Sequence, residues 1–140
     1  MSEQNKTIAR NLIEGTWNKK DMGVIDQLVA ANHTPHGPFT DKLPPGVEGS
    51  KAFASTFIAA FPDVQATIEK QEAEGDLVKT TVTYTGTQTG QLMDIPATGK
   101  QATVQVLVTN RIVGGIVVES WAEWDPQDML RQLGVEQTGG

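Results

Sequence analysis

Glu119, Trp121, Glu123 and Asp125 occupy every second position of one short stretch. Alternation of this kind puts side chains on one face of an extended strand. A carboxylate on such a face, desolvated by apolar neighbours, has its pKa raised and can serve as a general acid or base near neutral pH. Gly114-Gly115 precedes the stretch, and an apolar run over residues 104–113 precedes the glycines. Two runs joined by Gly-Gly predict a hairpin, because both turn residues can take positive φ. A two-residue turn sets the register: Val104 opposite Asp125, Val106 opposite Glu123, Val108 opposite Trp121 and Asn110 opposite Glu119. An apolar wall carrying a few acidic groups is what a small-molecule pocket needs. For Asp125 a structural role is also open, since an aspartate before Pro126 is an ordinary helix N-cap worth ~1 kcal/mol.

Other candidate side chains are sparse. Both histidines, His33 and His36, lie three residues apart. A metal site would need a third ligand beside them, and the chain holds no other histidine and no cysteine. His36 therefore reads as a pocket-lining residue, or as an exposed or core hydrogen-bonded histidine, rather than a metal ligand. Tyr84 and Gln88 read as polar contacts, and Trp121 as pocket wall. Thr98-Gly99-Lys100 fails as a phosphate loop, because Asp94 holds the place of the first glycine and Gln101 follows the lysine.

The elements that must position these residues follow from periodicity. Ile8, Leu12, Ile13 and Trp17 predict a helix over residues 3–17. A second short helix follows Asp21, with Val24, Ile25, Leu28 and Val29 inward. Residues 31–39 read as a short extended piece or loop, since each proline biases its predecessor away from helix. Ser50 caps a third helix that Pro62 stops, with Phe53, Phe57, Ile58 and Phe61 as its stripe. The period then becomes two, giving strands at 64–73 and 77–88 before the hairpin. A last helix spans 127–133, with Asp125 as N-cap and Gly134 as its stop, and 135–140 reads as a tail. Three helices, four strands and a helix indicate an α+β fold over a single domain, residues 1–140: a curved antiparallel sheet with helices on one side, forming a cone.

Composition narrows the function classes. The 140 residues suit one domain, and 38% hydrophobic with 20% charged is ordinary for a soluble protein. No apolar run approaches the ~20 residues of a membrane span, and the N-terminus lacks a signal-peptide pattern, so a cytoplasmic location is expected. The net charge of −6, with eleven scattered basic residues, argues against a nucleic-acid partner. Without cysteine, disulfides and thiolate sites are excluded.

Several segments carry a family likeness: Trp17-Asn18-Lys19-Lys20-Asp21, Ala60-Phe61-Pro62-Asp63, Gly86-Thr87-Gln88-Thr89-Gly90, Val118-Glu119-Ser120-Trp121 and Leu130-Arg131-Gln132-Leu133-Gly134. Over nearly its whole length the chain resembles the SnoaL-like polyketide cyclases, or ester cyclases, of the NTF2-like fold group. The resemblance implies a deep pocket and a homodimer or larger homo-oligomer paired through the outer sheet face. It also implies a cofactor-free intramolecular aldol condensation of a polyketide-like or other enolisable small molecule. It places the general acid/base on Asp125, counted back from Leu-Arg-Gln-Leu-Gly. Where active cyclases carry glutamine and histidine on the preceding strand, this chain has Val106 and Val108. Gln88 stands where a histidine is usual. Two functions are thus expected from different classes: a cyclase using Asp125, or a non-catalytic module holding an apolar ligand in the same cone.

Overall fold

The computed structural model describes residues 2–40 and 43–135. Helix α1 (Ser2–Ile13) buries Ala9 and Ile13 and runs straight into a π-helical turn, Glu14–Asn18. Such turns are single insertions often found at functional sites, and this one delivers Thr16 and Trp17 to the interior. It is pinned to the sheet by its own sequence. Asn18 Nδ2 donates to the Ala66 carbonyl at 2.9 Å, and Asn18 Oδ1 accepts from the Ala66 amide at 2.6 Å. Lys20 Nζ donates to the carbonyls of Trp17 and Val64, both at 2.7 Å.

Helix α2 (Gly23–Leu28) follows, with Asp21 Oδ1 accepting from the Gly23 amide. Next comes β1 (Val29–His36). The sequence placed Val29 in a helix and left the rest as a short piece or loop. A full strand forms because it pairs with β5 while Val29 and His33 bury their side chains. Helix α3 (Gly46–Ala60) starts earlier than expected, after Pro45. Ser50 therefore lies within the helix, not at its cap.

Four strands follow: β2 (Gln65–Glu74), β3 (Leu77–Thr87), β4 (Gln101–Val113) and β5 (Ile116–Glu123). The sheet order is β1-β5-β4-β3-β2, with β1 parallel to β5 and the other neighbours antiparallel. The expected α+β class holds, with five strands in place of four. Helix α4 (Pro126–Gln132) ends in a glycine cap: Gly134, at φ +76, and Val135 return their amides to Arg131 and Leu130 at 3.0 and 2.9 Å. Val135 is thus part of the packed fold, and the rest of the expected tail lies outside the described residues.

The hairpin turn forms as expected, with Gly114 and Gly115 at φ +60 and +81. The register beyond it does not. Ile112 pairs with Val117, but Arg111 pairs with Glu119, so Val118 is an extra residue. Asn110 then faces Ser120, Thr109 faces Trp121, Val108 faces Ala122 and Leu107 faces Glu123. The partners of Val108 and Asn110 are displaced by one from those expected, and the ladder ends at Leu107, so Val106 and Val104 do not meet Glu123 and Asp125. The reason is packing. Val117 is fully buried with Ala9, Val78 and Ile112, while Ser120, Ala122 and Trp124 also line the interior. Odd and even positions share one face only if a residue is inserted between them.

Candidate functional site

The concave face of the sheet and the helices over it form two adjacent chambers. Trp17, Phe53, Tyr84, Val108 and Ala122 belong to the walls of both. The first, of about 110 Å³, lies toward α4 and is almost wholly apolar. Its aromatic side is built by α3 and the strand ends. Phe53 and Phe57 stand one helical turn apart with ring centroids at 4.9 Å, and Trp124 meets Phe57 edge-on at 6.3 Å. Trp17 meets Tyr84 edge-on at 5.4 Å. The even residues of β4, Val104, Val106 and Val108, supply the opposite wall. Burial pushes the Tyr84 phenol above its ordinary pKa, so it stays protonated.

The second chamber, of about 170 Å³, lies toward β1 and is the polar end. His33, Ser50, Ser120 and Asn110 form a hydrogen-bonded chain there. Ser120 Oγ donates to Asn110 Oδ1 at 2.8 Å, and His33 Nε2 lies 2.9 Å from Ser120 Oγ. Ser50 Oγ lies 3.5 Å from His33 Nδ1. Desolvation, with a smaller contribution from nearby His36, lowers the His33 pKa and keeps the ring neutral. Among the described residues, neither chamber wall carries a carboxylate. Nor do the described residues gather three or more His, Cys, Asp or Glu where they could hold a metal.

The residues singled out from sequence separate into groups. Tyr84, Val104, Val106 and Val108 meet in the cavity. His36 and Trp121 reach its edge, but their rings stack on each other at 5.4 Å. His36 Nε2 also lies 2.7 Å from Glu119 Oε2. With Glu123, His36 and Trp121 border a shallow hollow on the outer face, beside Leu77 and Thr109. The displaced register puts them there. Gln88 lines neither chamber. Fully buried, it pegs the 91–100 loop: Oε1 accepts from the Thr98 amide and hydroxyl, and Nε2 donates to the carbonyls of Ile95 and Pro96. Asp125 is exposed and lines neither chamber. Its Oδ1 accepts from the Gln127 amide at 3.0 Å as the N-cap of α4, and Oδ2 lies 3.7 Å from Arg131.

Sequence reasoning missed Ser120, Ala122 and His33 as cavity residues, and set Asn110 on the pocket face without giving it a role. One signal was available for Asn110. It is the lone polar residue among the even positions of β4, between Val108 and Ile112, where an apolar side chain would cost nothing.

Comparisons place this geometry among known proteins. A family profile for SnoaL-like polyketide cyclases matches residues 7–133. IdmH of Streptomyces antibioticus, a candidate polyketide cyclase, is 32% identical at a TM-score of 0.80, over 94% of this chain and 99% of its own. A candidate polyketide cyclase of Acidithiobacillus ferrooxidans is 26% identical at 0.84, over 96% of each chain. TsrD of Streptomyces laurentii shares the fold at 0.87 with 23% identity, over 97% of this chain and 98% of its own. A search of curated proteins finds no match. The five-stranded cone, its enclosed cavity and the profile match over nearly the whole chain agree: this protein belongs to the SnoaL-like polyketide cyclase family.

Proposed function

We propose that this chain holds an apolar, polyketide-like small molecule folded inside the cone. The observation that carries this reading is the pair of adjacent chambers sharing five wall residues, with aromatic walls and no carboxylate among their described lining residues. Flat rings gain dispersion and edge-to-face contact against Trp17, Phe53, Phe57 and Trp124. Each chamber alone is small; joined, they approach the volume of a ligand site. Tryptophan fluorescence tests it, since Trp17 and Trp124 line the cavity. Planar tricyclic probes quench the wild type at micromolar concentration. Ala122→Trp, which fills the junction of the chambers, abolishes quenching while preserving the fold. Undiminished quenching in that variant places the binding elsewhere and sinks the reading.

Ring closure with Asp125 as acid/base is a second reading, favoured by family membership and by position. Trp124 and Met129, on either side of Asp125 in sequence, both line the aromatic chamber, which supports this reading. On this reading Asp125 leaves the Gln127 amide and takes a proton from a carbon between two carbonyls. The enolate attacks a second carbonyl of the same molecule, and Asp125 returns the proton to the new alkoxide. One carbon–carbon bond forms and the mass is unchanged. Holding the chain folded supplies several kcal/mol of the barrier. A linear poly-β-ketone ester incubated with the protein gives a cyclised isomer that Asp125→Asn fails to make. Equal yields from both proteins remove Asp125 from the chemistry. A homodimer paired through the outer sheet face, a cytoplasmic location and no nucleic-acid partner belong to the same proposal, with sedimentation checking the first. No helix among the described residues is long and apolar enough to cross a membrane.

A further inference from the structure

The polar chamber contains two buried polar atoms with no hydrogen-bond partner among the described residues: Asn110 Nδ2 and Thr16 Oγ1. Asn110 is 2% exposed and Thr16 5%. Native folds rarely leave such groups unpaired without a use for them. The other end of the Asn110 amide is engaged, since its oxygen takes the Ser120 hydroxyl proton at 2.8 Å. A carboxamide oxygen only accepts, so that bond uses the one proton Ser120 has to give. Toward His33 the serine is therefore an acceptor, and Nε2, 2.9 Å away, must carry hydrogen. The neutral ring then presents Nδ1 as an acceptor facing Ser50 Oγ at 3.5 Å. Donors run one way along Ser50, His33, Ser120 and Asn110. Each bond polarises the next, and the chain ends on the buried amide of Asn110, a residue that lines the chamber.

We propose that Asn110 Nδ2, at the end of the Ser50–His33–Ser120 relay, receives the carbonyl or enolate oxygen of a planar, mostly apolar ketone whose rings occupy the aromatic chamber. This rests on the reading that the cone binds a small molecule, and it names the ligand's polar group and the end of the cavity that takes it. A fixed N–H discriminates strongly, because a ligand without an oxygen there leaves the buried donor unpaired. The Thr16 hydroxyl gives the same chamber a second, rotatable donor.

The test uses the full chain and three matched tricyclic probes: 9-fluorenone, fluorene and 9-fluorenol. Tryptophan quenching gives the affinities, and infrared spectroscopy gives the carbonyl stretch of bound fluorenone. The expected result is fluorenone about tenfold tighter than fluorene, with its stretch moved to lower wavenumber than in hexane. Asn110→Leu brings the two affinities together and returns the stretch to its hexane position. Ser120→Ala, which frees the amide to turn, loses part of the preference. Should Asn110→Leu fail to fold, the wild-type ranking and stretch decide alone. Equal affinities without a shifted stretch overturn this inference and leave the cavity reading intact. Tighter binding of fluorenol than of fluorenone overturns the donor assignment. No binding of any probe overturns the cavity reading and this inference with it.

Discussion

Along β5, Glu119 and Trp121 border the outer face and Glu123 is exposed there, while Ser120, Ala122 and Trp124 border the cavity. The outer set carries two charges and an indole stacked on His36. The inner set is neutral, and its one polar member is locked between His33 and Asn110. A carboxylate facing outward keeps its water and costs little, whereas the same group facing inward would sit against valines and aromatic rings. The cone therefore offers a ligand dispersion and a few directed hydrogen bonds but no fixed charge among the described lining residues. Which set faces which way depends on a single inserted residue, Val118.

Inserting one residue after Val118 breaks this contrast most severely. With one residue still bulged, the ladder beyond it would slip by one, turning Glu119, Trp121 and Glu123 inward and Ser120, Ala122 and Trp124 outward. Burying two unpaired carboxylates exceeds the whole stability of a domain this size. The insertion variant is expected to lose cooperative thermal unfolding by circular dichroism. A variant that melts like the wild type would mean that the strand tolerates either register. A milder form moves one charge across the sheet. Ala122→Asp costs about 2 kcal/mol in urea unfolding, and its carboxyl titrates above the usual ~3.9. Glu123→Ala on the exposed side changes stability by less than about 0.5 kcal/mol. Similar losses at both positions would contradict the assignment of faces.

The same bulge explains what the sequence could and could not reveal. Helix stripes, the Gly-Gly turn, the cap at Asp125 and the α+β class were legible because each is a local pattern. Tyr84, Val104, Val106 and Val108 reached the cavity because β3 and β4 pair without a register shift. Glu119, Trp121 and Glu123 did not, because the bulge answers a tertiary demand: Val117 must pack on α1 while Ala122 faces α3's side of the cone. β1 was hidden for a similar reason. Its residues, with two prolines nearby, have little strand propensity, and only the free edge of β5 makes them a strand. His33 stayed invisible because its partners, Ser120 and Ser50, come from β5 and α3.

Asp125 sharpens the comparison at the point where β5 gives way to α4. Its side chain caps the helix from the exposed side. Asp125→Ala is expected to lose about 1 kcal/mol, and Asp125→Asn a few tenths, because asparagine caps nearly as well. The pair separates two roles, since Asn keeps the cap and removes the acid/base. If both variants bind planar probes like the wild type while only the alanine protein melts early, the carboxylate is structural. A ligand affinity that drops in the Asn variant at unchanged stability would instead bring the carboxylate to the cavity.

The smallest effect expected is a tilt of stability with pH, and it belongs to the inner face. Burial, the largest cause, lowers the His33 pKa from its ordinary 6.5. The folded chain therefore takes up this proton less readily than the unfolded chain. As pH falls below about 6.5 the unfolded state gains protons first, and stability declines until the folded pKa is passed. The contribution is fully present at neutral pH and lost toward acid. His33→Gln keeps a donor for Ser120 but cannot titrate. Its melting temperature should fall less than the wild type's between pH 7 and pH 5. Parallel melting curves for the two proteins would mean that His33 meets solvent when protonated. The neutral end of the cavity would then open more readily than its hydrogen bonds to Ser120 and Ser50 indicate.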